Sequence, residues 1–242
     1  MLAPGPVPPL LAALLASGLL AHAAVVRPSG AAHAPHPTLR ILCLGDSYTA
    51  CPGVPAAEHW PALLAAQLAA RGWACPPPTV VAGVGWATDE LSAAMDAADL
   101  GGPYDLVTLL VGVNDQFRGR ALERFQPQFN LLLSRALELA GRNPRRVVVL
   151  SIPDWGVTPY GRGREAEDGY IAHAIDRYNQ AIRERAGVVD TRWVDVTALS
   201  RRHGDDARFL AADGLHPSGA AYREWAAAVA DTLRDLVPRA RR

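Results

Sequence analysis

The sequence predicts one α/β domain in which about five parallel β-strands form a sheet between two layers of helices. From Leu39 onward, short apolar runs alternate with longer segments of helical periodicity, as is typical of a parallel sheet covered on both faces. The chain has 242 residues, 50% hydrophobic and 20% charged, so it can bury one sizeable core. These observations favour a three-layer α/β/α fold and a single domain.

The apolar runs predict the strands in chain order, and each run is nearly continuous because both faces of such a strand are buried. They are Leu39–Leu44, Thr79–Val84, Leu106–Val111, Val147–Ser151 and Trp193–Val196. Helices are predicted between and after them at Ala57–Arg71, Asp89–Ala98, Ala121–Gly141, Glu165–Ala186 and Ser218–Val237. The fourth helix has one apolar stripe, formed by Ile171, Ile175, Tyr178 and Ile182. In this architecture ligands bind beyond the carboxyl ends of the strands.

The N-terminal segment differs from the rest of the chain. Residues 7–26 carry no charged side chain, are mostly Leu and Ala, and include Ala21-His22-Ala23, which fits the small-x-small pattern of signal peptidase sites. We therefore predict a signal peptide or hydrophobic segment over residues 1–26, a flexible spacer over 27–38 and the folded domain over 39–242. Export to the periplasm or the extracellular space is expected. The alternatives are an uncleaved membrane anchor and a mis-assigned start site ahead of a cytoplasmic enzyme.

Charge and cysteine content exclude several classes of protein. The 24 basic side chains, all arginine, balance 24 acidic ones, so no strong field attracts nucleic acid. The three cysteines allow at most one disulfide, and only Cys51 with Cys75 is a candidate pair because Cys43 lies in a buried-strand pattern. No group of side chains has metal-ligand spacing, so neither a metal nor a cofactor is predicted.

Four short segments carry candidate catalytic residues, and each follows a predicted strand or precedes the last helix. In Gly-Asp-Ser-Tyr, Ser47 is the candidate nucleophile on a tight strand-to-helix turn. Gly85 allows close approach of its backbone N–H to a substrate oxygen, and Asn114 offers a neutral side-chain donor. In Asp-Gly-Leu-His-Pro, Asp213 can bond one imidazole nitrogen of His216 while the other nitrogen takes a proton.

Each segment also has a purely structural interpretation. Ser47 fits an ordinary Asp-Ser turn or helix cap, Gly85 a simple turn, and Asn114 an Asx turn. His203 is a competing histidine, although its arginine-rich setting is typical of a solvated surface loop.

With these segments in order, the chain resembles the SGNH/GDSL hydrolase superfamily from about Ile41 to Pro217. The resemblance implies a flavodoxin-like α/β/α fold, no metal, and hydrolysis of acyl esters or thioesters. It makes Ser47 the nucleophile, matches Asp213 and His216 to the Asp-x-x-His block, and assigns the oxyanion hole to the Ser47 N–H with Gly85 and Asn114. The sequence has Tyr at position 48, where many members have Leu.

The expected function is therefore hydrolysis of a carboxylic ester by a Ser-His-Asp triad through an acyl-enzyme intermediate. The substrate is expected to be a small-molecule, glycan or lipid ester. Three alternatives remain open: a carbohydrate O-acetylesterase, a non-catalytic binding module on the same fold, and a flavin-binding flavodoxin-like protein. Against the last, Asp46 in the first turn would repel phosphate.

Residues near these segments are candidates for the walls of a substrate pocket. For the aromatic residues the alternative is ordinary core packing, and for the arginines it is a solvated surface position. The aromatic candidates are Trp86, Phe117, Trp155 and Tyr160. The candidates for contact with an anionic substrate are Arg118, Arg120, Arg162 and Arg164.

Overall fold

The computed structural model describes residues 38–164 and 170–235. The predicted hydrophobic segment, the spacer before residue 38 and the first five residues of the fourth predicted helix lie outside these ranges. The strands are β1 (Ile41–Gly45), β2 (Thr79–Ala82), β3 (Leu106–Leu110), β4 (Val147–Leu150) and β5 (Arg192–Val194). The helices are α1 (Ser47–Ala50), α2 (Trp60–Ala70), α3 (Thr88–Ala97), α4 (Val113–Phe117), α5 (Leu122–Leu139), α6 (Pro159–Arg162), α7 (Tyr170–Val188), α8 (Val196–His203) and α9 (Gly219–Thr232).

The five strands form one sheet in the order β2-β1-β3-β4-β5, and every neighbouring pair is parallel. This order confirms the predicted flavodoxin-like, three-layer fold. Gly45 at the end of β1 pairs in register with Ala82 on one side and Leu110 on the other. The segments after β1, β2 and β3 therefore leave the sheet side by side at its carboxyl edge.

The main error in the strand prediction concerns β2, which was expected to be buried on both faces. Thr79 and Val80 are exposed, Val80 at 45%, because β2 is an edge strand with a neighbour on one side only. The strand also ends at Ala82, two residues earlier than predicted. At the opposite edge, β5 begins one residue earlier and ends two residues earlier than predicted.

All five predicted helices are present, with shifted ends. The segment at Ala56–Glu58 is a separate 3-10 turn, so α2 begins at Trp60, with Pro61 in its first turn. The described residues also form four short helices that the sequence does not predict, namely α1, α4, α6 and α8, with four to eight residues each. Such elements are too short to show a hydrophobic period.

The apolar stripe of α7 is buried as predicted, with Ile175 and Ile182 fully enclosed. Burial of such a side chain stabilises the fold by about 1.5–3 kcal/mol. The β1, β3 and β4 strands are buried along their whole length. The core is therefore continuous around the central strands, and this holds their carboxyl ends in fixed positions.

The candidate disulfide is not formed, since Cys51 and Cys75 are both free thiols. Cys51 is buried and directs its thiol to the carbonyl oxygen of Thr49 at 3.4 Å, whereas Cys75 is only partly buried. Within residues 38–164 and 170–235, no helix is both long enough and apolar enough to cross a membrane.

Candidate active site

Ser47 lies on a tight turn between β1 and α1. A side chain at position 45 would overlap the Thr49 hydroxyl and the Leu110 carbonyl oxygen, so only glycine fits there. Asp46 is the N-cap of α1, and its Oδ1 accepts a hydrogen bond from the Tyr48 N–H at 2.9 Å. Ser47 is therefore the first helical residue, whose backbone N–H has no partner within the helix.

His216 is held by the loop before α9. The Oδ1 atom of Asp213 accepts hydrogen bonds from the N–H groups of Leu215 and His216, both at 2.9 Å, around Gly214 in the left-handed conformation. The Ser218 hydroxyl accepts a hydrogen bond from the Ala220 N–H at 3.2 Å and caps α9. The loop backbone thus fixes the imidazole relative to the sheet.

Ser47, His216 and Asp213 form one hydrogen-bonded line. The Ser47 Oγ lies 3.0 Å from the His216 Nε2, and the His216 Nδ1 lies 2.6 Å from the Asp213 Oδ2. A carboxylate partner keeps the proton on Nδ1, which leaves Nε2 as an acceptor for the serine hydroxyl. Ser47 and His216 are both buried, at 5% and 9% exposure. This arrangement can transfer the hydroxyl proton of Ser47 to an imidazole.

The pKa of Asp213 is lowered from its ordinary value. Partial burial acts in the opposite direction and raises the pKa. It is outweighed by the hydrogen bonds from the imidazole and from two backbone N–H groups, together with the charge of His216 when it is protonated. Asp213 is therefore ionised at neutral pH and can stabilise an imidazolium.

Asn114 lies in α4, immediately beyond the end of β3. The preceding Gly112 has a φ of +130°, and a Cβ there would come within 2.9 Å of Phe125. One N–H of the Asn114 carboxamide donates to the Trp86 carbonyl oxygen at 2.9 Å. This bond orients the amide and leaves its second N–H for another acceptor.

Gly85 lies in the loop after β2, with a φ of +79° that favours glycine. Its carbonyl oxygen accepts a hydrogen bond from the Arg118 guanidinium at 2.6 Å, and the same guanidinium is ion-paired with Glu90 at 3.0 Å. Glu90 in turn accepts from the Ala87 N–H at 2.7 Å. The loop is thus held from three sides, by Asn114, Arg118 and Glu90.

Asp115, a residue that the sequence analysis did not single out, joins α4 to α3. It is fully buried and accepts hydrogen bonds from the N–H and hydroxyl of Thr88, at 3.0 and 2.8 Å. It is also ion-paired with Arg120 at 3.0 Å, and Arg120 is paired with Asp89. Arg120, a candidate for contact with an anionic substrate, is therefore engaged by two carboxylates of the protein itself.

The carboxyl group of Asp46 is fully buried, and its Oδ2 has no hydrogen-bond partner among the described residues. Burial raises its pKa to about 8, although the hydrogen bond from the Tyr48 N–H acts to lower it. The group is therefore largely uncharged at pH 7. The repulsion that was expected between Asp46 and a phosphate at this turn is therefore weak at pH 7.

One cavity of about 160 Å³ is lined by Ser47, Gly85, Asn114 and His216.

Three of the four candidate aromatic residues form a wall of this cavity. The ring centroids of Phe117 and Trp155 lie 5.4 Å apart, and those of Trp155 and Tyr160 lie 6.3 Å apart. Trp86 does not line it; its ring packs over Gly83 instead. The structure therefore brings Ser47, Gly85, Asn114 and His216 to one cavity, and Asp213 lies behind His216.

The competing histidine is engaged elsewhere. His203 is the last residue of α8 and not part of a solvated loop; its ring stacks on Phe209 at 3.7 Å, and its Nε2 lies 3.0 Å from Glu224. Of the two remaining candidate arginines, Arg162 is ion-paired with Asp205 and Arg164 stacks over the Tyr160 ring.

The model of the GDSL-like lipase/acylhydrolase family matches residues 43–224. One similar solved structure is TesA, with 24% identity and a TM-score of 0.64; the match covers 81% of this chain and 99% of that chain. Another is the lipase/acylhydrolase from Enterococcus faecalis, with 20% identity and a TM-score of 0.65; the match covers 85% of this chain and 100% of that chain. A third is Axe2, an acetylxylan esterase from Geobacillus stearothermophilus, with 19% identity and a TM-score of 0.60 over 86% and 99%.

At these identities the structural matches show a shared fold. No curated protein sequence matches the chain. The family model spans most of the chain and includes all five predicted site residues, from Ser47 to His216. The chain therefore belongs to the GDSL-like lipase/acylhydrolase family.

Proposed function

We propose that the protein is a serine esterase that hydrolyses carboxylic esters through a covalent acyl-enzyme intermediate. The observation that carries the proposal is the line of hydrogen bonds from Asp213 through His216 to Ser47, at 2.6 and 3.0 Å. This line ends at the wall of a cavity that is large enough for an acyl group. In this proposal Ser47 is the nucleophile, His216 the general base and acid, and Asp213 the group that orients the imidazole.

In the first half of the reaction, the His216 Nε2 takes the proton of the Ser47 hydroxyl while Oγ bonds to the ester carbonyl carbon. The tetrahedral intermediate then breaks its bond to the alcohol oxygen, which leaves with the proton from His216. In the second half, a water molecule gives a proton to His216 and attacks the acyl group on Ser47. The carboxylic acid leaves, the proton returns to Oγ, and the enzyme is restored.

The negative charge on the carbonyl oxygen needs donors that are already in place. Three N–H groups can supply them: the backbone N–H of Ser47, the backbone N–H of Gly85 and the second N–H of the Asn114 carboxamide. All three residues line the cavity. Because these donors are fixed by helix α1 and by the loop contacts of Arg118 and Asn114, little reorganisation accompanies the reaction.

Acetyl esters of carbohydrates are a second candidate substrate class. The cavity of about 160 Å³ favours a small acyl group. Partly exposed aromatic residues at its mouth, such as Phe117 at 51% exposure, are suited to contact with a bulkier alcohol.

The test is hydrolysis of p-nitrophenyl esters from acetyl to long acyl chains, together with acetylated sugars, by the full-length protein. Ser47→Ala and His216→Ala are expected to abolish hydrolysis. His203→Ala serves as the matched histidine control and is expected to retain most of the activity. A folded protein that hydrolyses none of these esters would favour the binding-module alternative. An active Ser47→Ala variant would contradict the assignment of the nucleophile.

A further inference from the structure

A second cavity lies next to the active-site cavity. Its walls are mainly apolar and include Leu199, Phe209 and Trp225. The two cavities share two lining residues, Tyr48 and Leu215, which therefore stand between them. The second cavity has a volume of about 30 Å³, which leaves room for water molecules only. It is too small to receive an acyl chain while these two side chains keep their positions.

Tyr48 is held firmly in this position. Its side chain is 3% exposed, and its ring centroid lies 5.4 Å from the His216 ring and 6.1 Å from the Trp225 ring. Its backbone is fixed on both sides, because its N–H donates to Asp46 and its carbonyl oxygen accepts from the Trp60 indole at 3.0 Å. The ring therefore forms a fixed part of the wall next to the nucleophile.

The phenol of Tyr48 remains neutral. Burial raises its pKa well above the ordinary range, and the nearby carboxyl groups of Asp46, Asp213 and Asp154 raise it further. A neutral aromatic ring limits the length of the acyl chain by its size and not by a charge. The size of the side chain is then the property that decides whether a chain can pass.

We propose that Tyr48 is a specificity-determining residue that closes the inner end of the active-site cavity and so restricts the enzyme to esters of short acyl chains. The inference rests on the esterase activity proposed above. Removal of the ring joins the active-site cavity to the apolar cavity beside it, and the apolar walls of that second cavity can then receive further methylene groups.

The test is the ratio of kcat/KM for the octanoyl ester to kcat/KM for the acetyl ester. The unaltered protein is expected to prefer acetyl. In Tyr48→Ala the ratio is expected to rise at least about tenfold, because each buried methylene is worth about fourfold and two need to enter the enlarged space. Tyr48→Phe keeps the ring and is expected to leave the ratio unchanged.

Two further variants separate this effect from loss of stability. Tyr48→Leu also shortens the side chain and replaces the alanine variant if that variant fails to fold, as judged by circular dichroism. Leu64→Ala removes a fully buried side chain that lines neither cavity, and it is expected to leave the ratio unchanged.

The outcomes distinguish this inference from the proposed function. If the unaltered protein hydrolyses acetyl esters and the ratio does not rise in a folded Tyr48→Ala or Tyr48→Leu variant, Tyr48 does not limit the chain and the esterase assignment stands. An unaltered protein that prefers octanoyl esters overturns the inference as well. If no ester is hydrolysed at all, the proposed function fails and the chain-length inference fails with it.

Discussion

Asn114 makes one hydrogen bond within the protein and is proposed to make another only to the reacting oxygen. Its first N–H is occupied by the Trp86 carbonyl oxygen. Substitution by alanine removes the donor to the developing charge, so kcat is expected to fall by about 10²–10³-fold. Since the donor acts mainly in the transition state, KM should change little. Steady-state kinetics on a short-chain ester measure both values, and a variant with a raised KM and an unchanged kcat would contradict this role.

Asp46 gives the stability of the protein a dependence on pH. Its pKa is raised from 3.8 to about 8, so between these values the folded state binds more protons than the unfolded state. The contribution of Asp46 to stability is therefore fully present below pH 4 and is lost as the pH rises towards 8. The slope is at most about 1.4 kcal/mol per pH unit.

Asp46→Asn keeps the helix cap and removes the titrating group. Between pH 5 and pH 8, we expect the free energy of unfolding to fall more in the unaltered protein than in this variant, as measured by urea denaturation. Asp99→Asn alters an exposed carboxylate and serves as the control, with a pH dependence like that of the unaltered protein. Equal pH dependence in the unaltered protein and Asp46→Asn would show that Asp46 is ionised in the folded state.

At the scale of the elements, Arg118 connects α4 to the loop that carries Gly85. It donates to the Gly85 carbonyl oxygen and is paired with Glu90 of α3. We expect Arg118→Ala to lower kcat by about tenfold to a hundredfold, because a small misplacement of a catalytic donor is costly. Arg118→Lys can restore the bond to the Gly85 carbonyl and should recover part of the loss.

The control for Arg118 is Arg142→Ala, which removes an exposed arginine that is paired with Glu138 one helical turn away. Its kcat should equal that of the unaltered protein. A folded Arg118→Ala variant with normal kcat would show that the Gly85 loop keeps its position without this contact.

The sequence predicts those elements that have a continuous apolar or periodic pattern over enough residues to be recognised. The β1, β3 and β4 strands are buried on both faces and read as continuous apolar runs. The edge position of β2 follows from the order of the strands in the sheet, and this order cannot be inferred from the four residues of β2 itself. The four residues of α1 likewise show no period, and that helix depends on the cap by Asp46 and on the space around Gly45.

The five candidate site residues were predicted because each follows a strand or precedes a helix within a short motif. The contacts that hold these residues in place could not be predicted, because such contacts join distant parts of the chain. Arg118 was weighed as a contact for an anionic substrate, and its bond to Gly85 spans 33 positions. Asp115 and Thr88 are 27 positions apart. Only the folded sheet brings such partners together.

At the scale of the whole molecule, the strand order assembles the site. β1 and β3 are neighbours in the sheet although β2 lies between them in sequence, so Ser47 and Asn114 emerge side by side. His216 reaches Ser47 across 169 positions from the loop before α9. Topological switch points of this kind place ligands at the carboxyl edge of parallel sheets.

The apolar segment before the domain carries a prediction about the whole chain. We propose that residues 1–26 direct export and that a signal peptidase cleaves after Ala23, on the basis of the small-x-small pattern. Expression of the full-length chain in a bacterial host should yield a periplasmic or secreted protein that begins at Ala24. N-terminal sequencing and cell fractionation measure this. Intact chain in the membrane fraction would support an anchor, and intact chain in the cytoplasm would contradict export.

The most direct test of the central claim, that Ser47 is an activated nucleophile, is covalent labelling of the full-length protein with a fluorophosphonate. The Ser47 Oγ bonds to phosphorus, fluoride leaves, and the proton passes to His216. Mass spectrometry of the digested protein is predicted to find one label per chain, on the peptide that contains Ser47. The label should be absent from Ser47→Ala and strongly slowed in His216→Ala. Labelling of a different serine, or undiminished labelling of Ser47→Ala, would contradict the account.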